Sequence, residues 1–163
     1  MTFPTISRRA LASIALVAFA LATAPSLYAQ DAPAVPQMKP GDARLNLNTT
    51  PMDAFMAVPN VGRRMAREFD EYRPYISILQ FRKEIGKYVD ADQVAAFEQF
   101  VFVPIKADAS DAATLQQIPG VDETLAKTLI DGRPYGSNEA FLKALAGHVP
   151  ADAVDVAKSY LEN

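Results

Sequence analysis

There is no cysteine among the 163 residues, so disulfides and thiolate chemistry are excluded and the fold has to be held by its apolar core alone. Histidine occurs once, at His148, and without thiolates a zinc site would need carboxylates from elsewhere, so no metal is expected. No nucleophile, base and orienting group form a set, and Asp90 and Asp92 read as residues opening a helix; catalytic residues and cofactors are accordingly none, and the chain is read as non-enzymatic. No stretch alternates persistently between apolar and polar residues, which puts the fold in the all-α class. An excess of positive charge is missing too, with 16 basic residues against 19 acidic ones. No global basic field draws in nucleic acid, and any anion site has to be local.

What is present is an ordinary globular composition, half hydrophobic and 21% charged, with room for one domain or two small ones. The opening MTFPTISRRALASIALVAFALATAPSLYAQ places Arg8 and Arg9 before an apolar run from Leu11 to about Ala24 and offers Ala29 for cleavage. Residues 1–29 therefore read as a signal peptide, exported by the general or the twin-arginine route, with a periplasmic or secreted product and no stable membrane insertion after cleavage. That segment holds two of the 16 basic residues and none of the 19 acidic ones, which leaves 14 against 19, a net charge of −5. Residues 30–44, with three prolines, a glycine and no apolar periodicity, read as a linker, and structure is expected to begin near Leu45.

From there an ungapped offset of sixty residues aligns Pro59 with Pro119, Val61 with Val121 and Ala66 with Ala126. It also aligns Arg73-Pro74-Tyr75 with Arg133-Pro134-Tyr135, Phe81 with Phe141, and Ala91-Asp92 with Ala151-Asp152. This reads as an internal duplication, residues 45–105 followed by 106–163. Each copy predicts four short helices. Thr50-Pro51-Met52-Asp53 and Ser110-Asp111 supply the first N-caps, Met65, Phe69 and Tyr72 mark the second helix, and Ser77-Ile78-Leu79-Gln80 is a capping box for the third. The fourth is expected from about Asp92 to Val101, with Val94, Phe97 and Val101 inward. Such short helices depend on packing for their stability. Arg73-Pro74-Tyr75 reads as structural, and Phe97, Phe100 and Phe102 as core rather than as base-stacking platforms.

Leu47-Asn48-Thr49-Thr50 running into VPNVGRRMA and YRPYISILQF resembles the exported helix-hairpin-helix domain of ComEA type, here in two tandem copies. The resemblance implies a role in DNA binding during uptake. The family hairpin carries two glycines; the first copy keeps Gly62 with Asn60 at the other position, and the second keeps Gly120 with Asp122. Asn tolerates a left-handed backbone, so the first hairpin is expected to survive.

The two hairpins reverse their charge. Asp122 and Glu123 sit where a helix dipole favours acids, whereas Arg63 and Arg64 sit where it disfavours cations, a mismatch that an external anion would repair. Arg63 and Arg67 lie about 40° apart on a helical wheel, nearly opposite Met65, and project away from the core. Asn60, Val61, Gly62, Arg63, Arg64 and Arg67 are therefore the candidate phosphate-binding residues. The competing expectation is a solvated surface with Arg64–Glu68 and Arg67–Glu71 pairs and Asp70 beside them. Two functions follow, with no small-molecule substrate expected in either: a binder of DNA backbone phosphates without sequence preference, or an exported protein-docking scaffold, as the same fold serves in a small extrinsic subunit of photosystem II.

Overall fold

The fold comes from a computed structural model that describes residues 36–162. The expected signal peptide, 1–29, and the first residues of the expected linker lie outside the described residues. The chain is mostly helical. In order come β1 (Leu45–Asn46), a 3₁₀ helix (Met52–Ala57), α1 (Arg63–Glu71), α2 (Ile78–Ile85) and α3 (Ala91–Phe97). Then follow β2 (Val101–Phe102), α4 (Ala112–Leu115), α5 (Glu123–Asp131), α6 (Asn138–Leu145) and α7 (Ala151–Tyr160). Among the described residues no helix is long and apolar enough to cross a membrane.

Several local expectations are corrected. Order begins before Leu45: the Met38 N–H donates to the Ala57 carbonyl at 2.7 Å, and Lys39 to Asp42 close a turn through Pro40 and Gly41, the latter at φ +97°. Pro followed by a glycine of positive φ is the signature of a type II turn. The fourth helix stops at Phe97 rather than Val101, because Phe100, Val101 and Phe102 are all buried and no single helical face accommodates consecutive buried residues. They extend instead, and β2 pairs in parallel with β1, Leu45 opposite Val101 and Asn46 opposite Phe102. Strands of two residues are too short to show alternation. Thr50 is not a cap: Pro51 precedes the 3₁₀ helix without a side-chain cap, while Asp111 does cap α4 by accepting from the Thr114 N–H at 2.8 Å. At α2 the box is displaced by one residue, with Ser77 accepting from Leu79 N–H and Gln80 from Ile76 N–H, both at 3.0 Å.

Two apolar clusters form the interior. In the first, Phe69 is the hub, meeting Phe55, Phe81 and Phe97 edge-on at 5.2 to 5.5 Å between ring centres, a preferred aromatic geometry. The second gathers Leu115, Ile118, Leu129, Phe141 and Leu145, with Phe102 stacked on Tyr160 at 4.2 Å. Phe97, Phe100 and Phe102 are thus interior residues.

Polar contacts recur at an offset of sixty. Leu45 N–H donates to the Phe100 carbonyl and Ile105 N–H to the Tyr160 carbonyl, each at 2.8 Å. The Arg73 guanidinium donates to the carbonyls of Leu47 and Thr50, and that of Arg133 to the carbonyls of Ala107 and Ser110. Asn48 accepts from the Tyr75 N–H at 2.8 Å as Asp108 accepts from the Tyr135 N–H at 2.6 Å. The Arg-Pro-Tyr loops therefore tie down the segment that leads into each first helix, which is the structural role expected of them.

Candidate nucleic-acid interface

The candidate site is the turn from Val58 to Val61 and the start of α1. Val58 and Val61 are buried and anchor the turn, closed by Val61 N–H donating to the Val58 carbonyl at 3.0 Å. Asn60 between them adopts φ +63°, and Gly120 occupies the corresponding place at +81°. Asparagine serves here because its short polar side chain tolerates the left-handed region. Gly62 has φ −87°, and a Cβ built on it would meet nothing within 4 Å. Its glycine is thus not required by backbone strain or packing; what it leaves is open space in front of the helix.

Behind that space α1 begins without a side-chain cap. Ala66 N–H is the first to find a helical carbonyl, that of Gly62 at 2.9 Å, so the first-turn N–H groups of Arg63, Arg64 and Met65 point outward with the positive end of the dipole. At α5 the backbone is nearly the same, φ −87° and ψ −179° at Asp122 against φ −87° and ψ 174° at Gly62. There the Asp122 carboxylate accepts from the Leu125 N–H at 2.8 Å. One side chain separates an open helix start from a closed one.

The arginines face solvent. Asn60, Gly62, Arg63, Arg64 and Arg67 are exposed while Met65 packs partly against the first cluster. Neither expected i,i+4 pair forms: among the described residues the only ion pair of these three arginines joins Arg63 to Asp53 at 3.8 Å, with both side chains more than two-thirds exposed. An exposed pair at that distance contributes little. Two of the three acids of α1 are drawn elsewhere. Asp70 is held by Arg73 at 2.7 Å. The Tyr88 hydroxyl is pushed above the ordinary tyrosine range first by its hydrogen bond with Tyr72 and then by Glu68, which places Glu68 beside that tyrosine pair. Arg64 and Arg67 keep no side-chain partner among the described residues.

The sequence reading missed Asp53 as a neighbour of Arg63. Its one signal was its place as a first-turn acid, at a position where the offset of sixty gives Ala113. His148 is exposed and Asp90 caps α3 by accepting from Gln93 N–H at 2.8 Å. Among the described residues no group of three or more histidines, cysteines or acids is placed to hold a metal.

Comparison with known proteins adds no likeness: no family model, no curated protein and no solved structure matches the chain. The functional reading rests on the geometry of the hairpin.

Proposed function

We propose that the chain is an exported tandem pair of helix-hairpin-helix units of ComEA type, and that its first hairpin binds the phosphate backbone of DNA without sequence preference. The observation that supports this most is the unequal treatment of two helix starts of like backbone geometry: α5 is closed by Asp122, whereas α1 is left open behind Gly62 with Arg63, Arg64 and Arg67 exposed around it. A phosphate in front of Gly62 would take the outward N–H groups, the dipole and the guanidinium groups at once. The recurring contacts at an offset of sixty support the duplication.

The test is the binding of residues 35–163 to a fluorescent DNA duplex at 50 and 200 mM salt. With two or three phosphates neutralised, affinity should fall roughly 10- to 40-fold across that range. The variant R63E/R64E should lose binding at both concentrations. Binding left unchanged by that variant would remove the hairpin from the interaction. A docking role is the second reading, favoured by Ile76 and Leu79, which are 71% and 50% exposed where the offset of sixty places Gly136 and Glu139. An absence of DNA binding even at 50 mM salt would promote it.

A further inference from the structure

A cleft of about 680 Å³ lies between the arm 40–46 and the last turn of α7, floored by Phe102 and Val156 and reached by Ser159 and Tyr160. Its size is that of sites taking small organic ligands, about 300 to 1,000 Å³. The arm that forms one wall is fastened at several points: Gln37 Nε2 to the Met56 carbonyl at 3.0 Å, Met38 N–H to the Ala57 carbonyl, and the turn closed by Asp42 accepting from Lys39 N–H at 2.7 Å. The Asp42 carboxylate is thereby engaged. Arg44 stands on this wall, half-buried, with its guanidinium donating to the Gln117 carbonyl at a long 3.4 Å. It also lies beside the Tyr160 hydroxyl, which burial pushes above its ordinary range and the Arg44 charge pulls back. Among the described residues no carboxylate reaches ion-pair distance of Arg44. A half-buried guanidinium served only by a carbonyl and a neutral hydroxyl has donors to spare, and a charge in such a place calls for a counter-charge. The repeated architecture does not demand it either, since the residue sixty positions on is Pro104.

We infer that this cleft is a binding site for a small organic oxyanion, a carboxylate or phosphate monoester carried on an apolar body, with Arg44 holding the charged end and the Phe102 and Val156 wall the body. The site is independent of the hairpin.

The test is an NMR titration of ¹⁵N-labelled 35–163, a unit that contains both apolar clusters. The probes are adenosine 5′-monophosphate and N-acetylphenylalanine, each against its uncharged counterpart, adenosine and N-acetylphenylalanine amide. At least one anion should give saturating shifts at Arg44, Ser159 and Tyr160, with its neutral counterpart weaker by about tenfold or more. Which anion saturates identifies the head group. R44Q should weaken the anion about tenfold or more, and S159F, which fills the cleft from its exposed rim, should abolish binding, with DNA binding unchanged in both. Absence of saturation by either anion, equal binding by R44Q, or shifts confined to Gly62 to Met65 would overturn the assignment.

Discussion

At the scale of single residues, two tyrosines sixty positions apart find different surroundings for their hydroxyls. Tyr135 donates its hydroxyl to the Leu129 carbonyl at 2.8 Å, and it fits because the nearby residue is Gly132: a Cβ there would stand 2.9 Å from that hydroxyl. At the matching place stands Tyr72, whose hydroxyl turns to that of Tyr88 at 2.8 Å. Tyr75 is then 2% exposed with no partner for its hydroxyl among the described residues, and burial pushes that hydroxyl far up. An unsatisfied buried hydroxyl costs about 1 to 3 kcal/mol, whereas a satisfied one contributes about 1 kcal/mol. Tyr75→Phe should therefore raise stability by about 1 kcal/mol and Tyr135→Phe lower it by about as much, measured by urea unfolding of 35–163. Equal effects of the two would show that Tyr75 has found a partner, such as water, that satisfies it.

At the scale of elements, the two hairpins differ by a cap rather than by a backbone, and a cap can be moved. Gly62→Asp should place a carboxylate over the Met65 N–H as Asp122 stands over Leu125. Cap, dipole and reduced freedom of the unfolded chain together amount to about 1 kcal/mol of added stability, or about 4 °C in melting temperature. The same variant should lose DNA binding, because the carboxylate fills the place proposed for the phosphate. Asp122→Ala should cost about 1 kcal/mol with no gain in DNA binding, since Glu123 remains. A stabilised G62D that still binds DNA would separate the open helix start from the proposed DNA binding. These helix starts were legible in the sequence because caps, prolines and glycines act locally. The outward projection of Arg63 and Arg67 was legible from helical spacing, and both are exposed. The end of α3, the strands β1 and β2, and the attachment of the arm at Met38 were not legible. Each depends on a partner distant in sequence, as Leu45 depends on Phe100, and no local pattern records such pairing. The neighbour of Arg63 escaped for the same reason: Asp53 lies ten positions away, on another element.

At the scale of the whole molecule, the two apolar clusters are joined by a stretch with no slack. Val101 to Ile105 are buried throughout, and the Gln117 side chain grips both the N–H and the carbonyl of Val103, at 2.9 and 3.1 Å. A second junction runs from α2 to α4, where Ile78 N–H donates to the Thr114 hydroxyl at 3.0 Å. Asp111 belongs to it. Burial works against its charge, but the hydrogen bonds from Ser77, Thr114 and Ala113 outweigh burial, and its carboxyl is held below the usual carboxylate range. A carboxyl lowered in the folded state contributes stability that is complete above its unfolded value of about 3.9 and is lost as the pH falls through the folded value. Asp111→Asn keeps an acceptor for the Thr114 N–H but removes the charge, so it should be less stable than the parent at pH 7, with the difference closing below about pH 4. Urea unfolding at pH 7, 5 and 3 measures this. A difference that stays constant across the series would mean that shape, not charge, fastens α2 to α4 at this junction, while one that closes on acidification ties the union of the two clusters to a single ionised side chain.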